Sequence, residues 1–390
     1  MKTNSWQLHP NSFMARAVLG LIPTSAILYA WVTPLIVSAL EQSPSTSAQA
    51  AGYVFSANLY GTALGGLLAI RLVKRFPWRP VCLTLLSVVV LADIVSIWVT
   101  TPTWLAALRF LHGIAGGLAM GFAALVIART QQPERTISVT FILQTLLGGA
   151  ILFGVSPLMA TYGVLPVWIC LIVVSIVCLC ALPFLDEYPD PIVGGAANHR
   201  QPALTAPKMI TALAIVVLFV YQGTQQGAWA YIFELGQNFG LSDAFLGSAS
   251  GIAIWTGGLA AVFTAFWSMR SGYRLPVMAS GILSACAVAL MSNYTAAAYV
   301  AGAIGWTFFY TITMVYLLAM FAALDASGRF ATVGNFVSTF GLATGPLLSA
   351  SLLGEGVSYS SLMWLAAVGM AAASLVALVP ARHLESIQQS

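Results

Sequence analysis

Long apolar runs of about twenty residues, broken by short polar or Pro/Gly segments, occupy most of this chain. A run of that length crosses the hydrocarbon core of a bilayer as an α-helix. The pattern predicts twelve such helices, at about 13–40, 51–72, 79–100, 103–129, 136–160, 164–184, 209–233, 243–268, 276–292, 295–323, 330–353 and 359–380. The first run, from Phe13 to Leu40, is too long for the core of a secretory signal and has no small-residue cleavage site, so it reads as a membrane helix. One long polar connector follows the sixth helix and carries Pro189, Pro191, Gly194, Gly195, Asn198 and Pro202, the composition of a flexible linker. The expected organisation is a six-helix N-terminal half (1–185), a cytoplasmic linker (186–208) and a six-helix C-terminal half (209–390).

Charge gives the orientation. Lys2, Arg16, Arg71, Lys74, Arg75, Arg79, Arg129, Arg135, Arg200, Lys208, Arg270, Arg274, Arg329 and Arg382 fall on one side of a twelve-helix topology, fourteen of the fifteen Lys and Arg residues. Glu41, Glu234, Asp243 and Glu355 fall on or near the other. Short loops rich in Lys and Arg stay in the cytoplasm, which places both termini and the linker there, in an inner (plasma) membrane. A wrong helix count would scramble this segregation.

Composition closes off other classes. The chain is 59% hydrophobic and 7% charged, with a mean hydropathy of +0.90; a soluble domain carries about 25% charged residues. A soluble enzyme, a disordered regulator and a nucleic-acid binder are excluded. Cys82, Cys170, Cys178, Cys180 and Cys286 lie in apolar stretches at no zinc-like spacing, and read as small hydrophobes. No nucleotide, haem or metal motif occurs, so no cofactor is expected and ATP is not the expected energy source.

The two halves are related. Phe76-Pro77-Trp78-Arg79-Pro80-Val81 follows the second helix and Ser271-Gly272-Tyr273-Arg274-Leu275-Pro276-Val277 the eighth. Arg79 and Arg274 are 195 positions apart (274 − 79), half of 390, and Gly52 and Gly247 keep the same spacing. Repeated halves with a substrate site between them are a common plan of transporters.

Ionisable groups at membrane depth are costly and mark candidate sites. Asp93 lies in the outer half of the third helix; Arg109 and His112 lie one turn apart in the outer half of the fourth, beyond a short turn at Pro102. Two readings are open. Asp93 and Arg109 neutralise each other and lock a helix hairpin, or snorkel outward; or Arg109 faces a central cavity, binding an anion or tuning a proton carrier, with His112 titrating near neutrality.

In the seventh helix Gln222, Gln225, Gln226 and Trp229 share one face, costly against lipid and therefore expected to line a cavity. Tyr29, Trp306 and Tyr310 are candidate partners in its wall, against the alternative of bonds between helices and an interfacial aromatic belt. Glu234 reads as a solvated acid at a helix end, with a proton-binding role as the second reading. Gly113, Pro157, Gly345 and Pro346 are candidate hinges, or positions of close helix packing.

These residues resemble the major facilitator superfamily along the whole chain. Gly66, Leu68, Ala69, Arg71, Lys74 and Arg75 match in register its cytoplasmic loop pattern Gly-x-Leu-Ala-Asp-Arg-x-Gly-Arg-Arg, with Ile70 at the Asp and Val73 at the second Gly. Leu105, Arg109 and Gly113 match its fourth-helix pattern Leu-x-x-x-Arg-x-x-Gln-Gly, with His112 at the Gln. The resemblance implies a cytoplasmic gate loop at Gly66, Arg71, Lys74 and Arg75, and proton coupling at Arg109. The antiporter signature Gly-x-x-x-Gly-Pro is met at Pro157 without its glycines, and a good copy runs from Gly341 to Pro346 in the eleventh helix instead.

The expectation is an all-α, twelve-helix monomer of two pseudo-symmetric halves that moves a small organic solute by alternating access, coupled to protons. Aromatic and amide walls with few fixed charges favour efflux of amphipathic or aromatic compounds. The alternative is uptake of a small organic anion held by Arg109 and His112. A membrane-embedded enzyme would need a nucleophile–base pair or metal ligands together, and His9, His199 and His383 have no such neighbours in the sequence.

Overall fold

Twelve long helices form where the apolar runs predict them. In the computed structural model, which describes residues 7–43, 46–186, 188, 207–267, 272–324 and 329–389, the first six are α1 (Phe13–Trp31), α2 (Ala48–Leu72), α3 (Trp78–Ser96), α4 (Pro102–Ala128), α5 (Pro133–Val155) and α6 (Leu165–Ala181). The second six are α7 (Lys208–Ala230), α8 (Asp243–Trp267), α9 (Arg274–Leu290), α10 (Ala296–Ala323), α11 (Arg329–Gly354) and α12 (Tyr359–Val376). All twelve are long and apolar enough to cross a membrane. Local chemistry sets their starts. Ser12, Ser47, Thr295 and Ser358 each accept a backbone N–H three residues on, and α4 and α5 open on Pro102 and Pro133, where the missing N–H is harmless. Leu91, Ile142, Val173, Leu259 and Val368 stay exposed on the outside of the bundle, the surface a bilayer covers.

The first predicted helix is broken. α1 stops at Trp31 and resumes as Thr33–Glu41, because Pro34 has no N–H and its ring disfavours a continuous ladder. A matching break at Tyr231 separates α7 from Ile232–Asn238. The predicted linker, except for Asp186, Tyr188, Pro207 and Lys208, lies outside the described residues, as do Lys2, Arg200 and the side chains of Arg270 and Arg329.

The repeat is plain in the helix register. The six helices of the second half start 194 to 196 residues after their counterparts, from 208 − 13 for α7 and α1 to 359 − 165 for α12 and α6. Packing repeats too. α2 lies on α4 as α8 lies on α10, α3 on α6 as α9 on α12, and α1 on α5 as α7 on α11. The halves meet along α2–α11 and α5–α8, which exchange under the same relation. Even the loop ties correspond. Arg79 donates to the carbonyl of Leu185 at the end of α6, while Glu385, beyond α12, accepts from the N–H groups of Tyr273 and Arg274 and pairs with the Arg274 guanidinium at 3.5 Å.

The candidate hinges sit in different settings. A Cβ on Gly113 would lie 2.0 Å from the carbonyl oxygen of Asn58, and one on Gly345 2.0 Å from that of Gly223. Both glycines therefore let two backbones touch, the small-residue contact that holds membrane helices together. Pro157 falls in a 3-10 turn, Ser156–Leu158, that ends α5. Pro346 stands inside α11.

Candidate functional site

Arg71, Arg79, Arg129, Arg135, Lys208 and Arg274 all fall at or just beyond helix ends on the side of the bundle that carries the termini. At that end a cavity of about 660 Å³ opens between α1, α2, α4, α5 and α11, lined in part by Pro23, Gly66, Ile70, Gly117, Thr140 and Phe336. Gly66 therefore faces it, while Arg71, Lys74 and Arg75 are exposed around its mouth.

One turn deeper along α1, α5 and α11 lies a second cavity of about 180 Å³, between the two halves. The first half supplies Ile27, Ala30, Trp31 and Gln144; the second supplies Gln225, Gln226, Trp229, Thr307, Tyr310 and Thr311. No charged side chain lines it. Gln226 Nε2 donates across the halves to Thr33 Oγ1 at 3.2 Å, and Gln225 Oε1 is buried without a donor. Gln222 stands behind this wall: its amide donates to Ser338 and accepts the Tyr310 hydroxyl at 2.8 Å, which fixes the Tyr310 ring.

The far end of the bundle is shut. Tyr231 donates to the carbonyl of Ala48 at 3.0 Å, Tyr359 to Glu41 Oε1 at 2.6 Å, and Tyr53 meets Ser351 at 3.1 Å, each joining one half to the other. The wider cavity is thus found at the end that carries the termini, and the opposite end is closed.

Asp93, Arg109 and His112 come together in the first half, all within 1% of full burial. The short α3–α4 turn sets the two helices at equal depth, and Arg109 Nη1 donates to Asp93 Oδ1 at 2.7 Å. Arg109 Nη2 donates to the Ala92 carbonyl at 3.0 Å and to Ser96 Oγ. His112 Nε2 lies 3.4 Å from the same Asp93 oxygen, and Asn58 Nδ2 donates to His112 Nδ1 at 2.7 Å, leaving the ring proton on Nε2. The guanidinium lies over the rings of Trp168 and Tyr29, at 4.6 and 5.5 Å from their centroids.

This cluster does not reach the cavity. None of its members is in the cavity wall, and Tyr29 points inward, stacked on Phe55 and Trp168. Tyr29 was expected in the wall; its neighbours Ala30 and Trp31 are there instead, because successive helix residues turn by about 100°. Trp306 is likewise buried behind Trp229, edge to face at 5.7 Å. Sequence reasoning missed Asn58, Ser96 and Trp168 in the cluster, and Gln144, Thr307 and Thr311 in the wall. A lone amide in an apolar run, as Asn58 and Gln144 both are, was the available signal.

A family model described as Major Facilitator Superfamily matches residues 19–236. Among solved structures, the chain is similar to that of the nucleoside transporter NupG in its D323A variant, with 13% sequence identity and a TM-score of 0.76, covering 95% of this chain and all of the other. No curated protein matches the sequence.

Proposed function

We propose that this chain, which belongs to the major facilitator superfamily, takes a small, largely uncharged aromatic or amphipathic solute into the cavity between its halves. Membership makes it a multi-pass membrane transporter and not an enzyme. The observation that carries the reading is the wall itself: three amides, two threonine hydroxyls, one phenol and two indoles converge with no fixed charge. Such a wall hydrogen-bonds the edges of a ring and stacks on its faces. Gln225 Oε1, buried and without a donor, is the acceptor a solute N–H or O–H would satisfy.

Coupling to protons is proposed through Asp93, Arg109 and His112. The support is physical: Arg109 lies against Tyr29 of α1, two helix positions before the wall residue Trp31. A change of protonation on Asp93 or His112 would loosen the guanidinium and be felt through α1 at the wall. The segregation of Lys and Arg supports cytoplasmic termini, and then the open cavity faces the cytoplasm. Aromatic walls lean towards efflux. Uptake of an anion on Arg109 has less support, since both terminal nitrogens of the guanidinium are taken by Asp93, the Ala92 carbonyl and Ser96 away from the cavity. The fold of a nucleoside transporter makes nucleosides a sensible member of any solute panel.

Purified protein in liposomes with a lumenal pH dye tests both parts, with amphipathic cations, aromatic acids, sugars and nucleosides added singly. Solute-dependent proton movement is expected, and its sign gives the direction. Labelled-solute flux with no pH change would remove the coupling proposal. Gln226→Ala is expected to raise the half-saturating solute concentration about tenfold, the worth of one hydrogen bond of roughly 1–1.5 kcal/mol, without uncoupling. A proton leak in that variant would count against a role confined to the wall.

A further inference from the structure

Glu234 takes no part in the cavity or in the Asp93 cluster. It sits at the far end, in Ile232–Asn238, only 3% exposed, and no other residue gives either carboxylate oxygen a hydrogen bond. The groups that face it are acids and phenols: Glu41 from the Thr33–Glu41 helix, Asp243 at the start of α8, Tyr299 of α10, Tyr359 of α12 and Tyr231 beside it. The phenols are spent elsewhere. Tyr299 donates to the Ile232 carbonyl at 3.1 Å, Tyr359 to Glu41 and Tyr231 to Ala48. Asp243 accepts from Gln237 at 2.7 Å.

Among the described residues no salt bridge offsets these acids. Among the described residues every Lys and Arg other than Arg109 falls towards the opposite end, and Arg109 is committed to Asp93. An ionised carboxylate buried without donor or counter-charge costs many kcal/mol, and such a group takes up a proton instead. Among the described residues no group of three or more His, Cys, Asp and Glu is arranged to hold a metal ion.

We propose that Glu234 is a proton-binding site of the far-end gate. It holds one proton while the halves are closed over it, and releases that proton to the same side when they part and water reaches Glu41, Glu234 and Asp243. The balance is simple: the closed protonated form goes to the open form plus one proton in the water of that side. Acid at the far side therefore favours closure and alkali favours opening. Because Glu234 is absent from the cavity wall, this proton sets which side is open and does not cross with the solute. The idea rests on the alternating-access reading only in treating the far end as a gate.

The test uses full-length protein in lipid nanodiscs and needs no solute. Infrared difference spectra should show the carbonyl band of a buried protonated carboxylic acid, lost in Glu234→Gln and retained in Asp93→Asn. The distance between spin labels at the exposed positions 42 and 355 should lengthen in the wild type as pH rises, and stay short at every pH in Glu234→Gln. Absence of that band, a wild-type distance indifferent to pH, or one that follows sodium instead, overturns the proposal. Should the variant fail to fold, the wild-type titration decides alone. Solute flux is read in none of these arms, so failure of the transport proposal would leave them standing.

Discussion

Replacing Arg109 with alanine is expected to cost about 3–5 kcal/mol of stability, the penalty for stranding one member of a buried ion pair. Asp93 would be left with only His112 beside it, and Ser96 Oγ and the Ala92 carbonyl would each lose the guanidinium, the carbonyl keeping the Ser96 hydroxyl. The rings of Tyr29 and Trp168 would lose their cation as well. A lower midpoint of thermal denaturation in detergent, with poorer yield, is the measurement. Removing both charges in Asp93→Asn/Arg109→Leu should restore most of the loss, since a neutral pair of similar shape leaves nothing unpaired. That double variant then separates the two readings of the cluster. Folded protein that moves solute without protons supports coupling at this site; coupled flux at the wild-type rate reduces Asp93 and Arg109 to a structural lock.

The second large effect is expected at Gly52 and Gly247. They occupy equivalent places in the two crossings that close the far end. A Cβ on Gly247 would lie 1.8 Å from Ser156 Oγ and 2.4 Å from the Leu152 carbonyl oxygen; one on Gly52 would lie 2.1 Å from the Tyr231 hydroxyl and 2.7 Å from Ala350 Cβ. Leucine at either position overpacks only the conformation in which that crossing is shut, at roughly 1–3 kcal/mol. The ratio of closed to open should fall about 5- to 150-fold, and with both changes the factors should multiply, because the sites lie on separate crossings. Far-end label distances should lengthen and transport should fall. Undiminished transport in Gly247→Leu would show that the crossing does not form during the cycle.

Much of this was legible in the sequence, for identifiable reasons. Helix length, apolar character and the one-sided Lys and Arg residues act locally, so the twelve helices and their up-and-down order could be read directly. Spacing revealed the repeat because Arg79 and Arg274 keep the same job in both halves. The Asp93–Arg109–His112 cluster was visible because charges at that depth are rare and a short turn holds two helices in register. Which neighbour a side chain meets was not legible. Tyr29 and Trp31 are two residues apart, and only the packing of α1 shows that the first turns into the bundle and the second into the cavity. Glu234 read as a solvated acid because much of its cover comes from the Thr33–Glu41 helix and from α12, both distant in sequence. The break at Val32 was encoded in Pro34 but hidden by the unbroken apolar run.

The register of the two halves makes each the other's reference. Moving 195 positions on from Asp93, Arg109 and His112 leads to Val288, Ile304 and Thr307. Val288 is fully buried, Ile304 packs against the core, and Thr307 looks into the cavity. The same six-helix plan thus packs these three positions with no ionisable group in one copy and with three in the other. At these three positions charge is a speciality of one twin, since the architecture is satisfied there by a valine, an isoleucine and a threonine. The division of labour follows: the second half brings most of the grip on cargo, the first carries the Asp93–Arg109–His112 cluster, and each half keeps a group that can answer to the surrounding water, the second through Glu234.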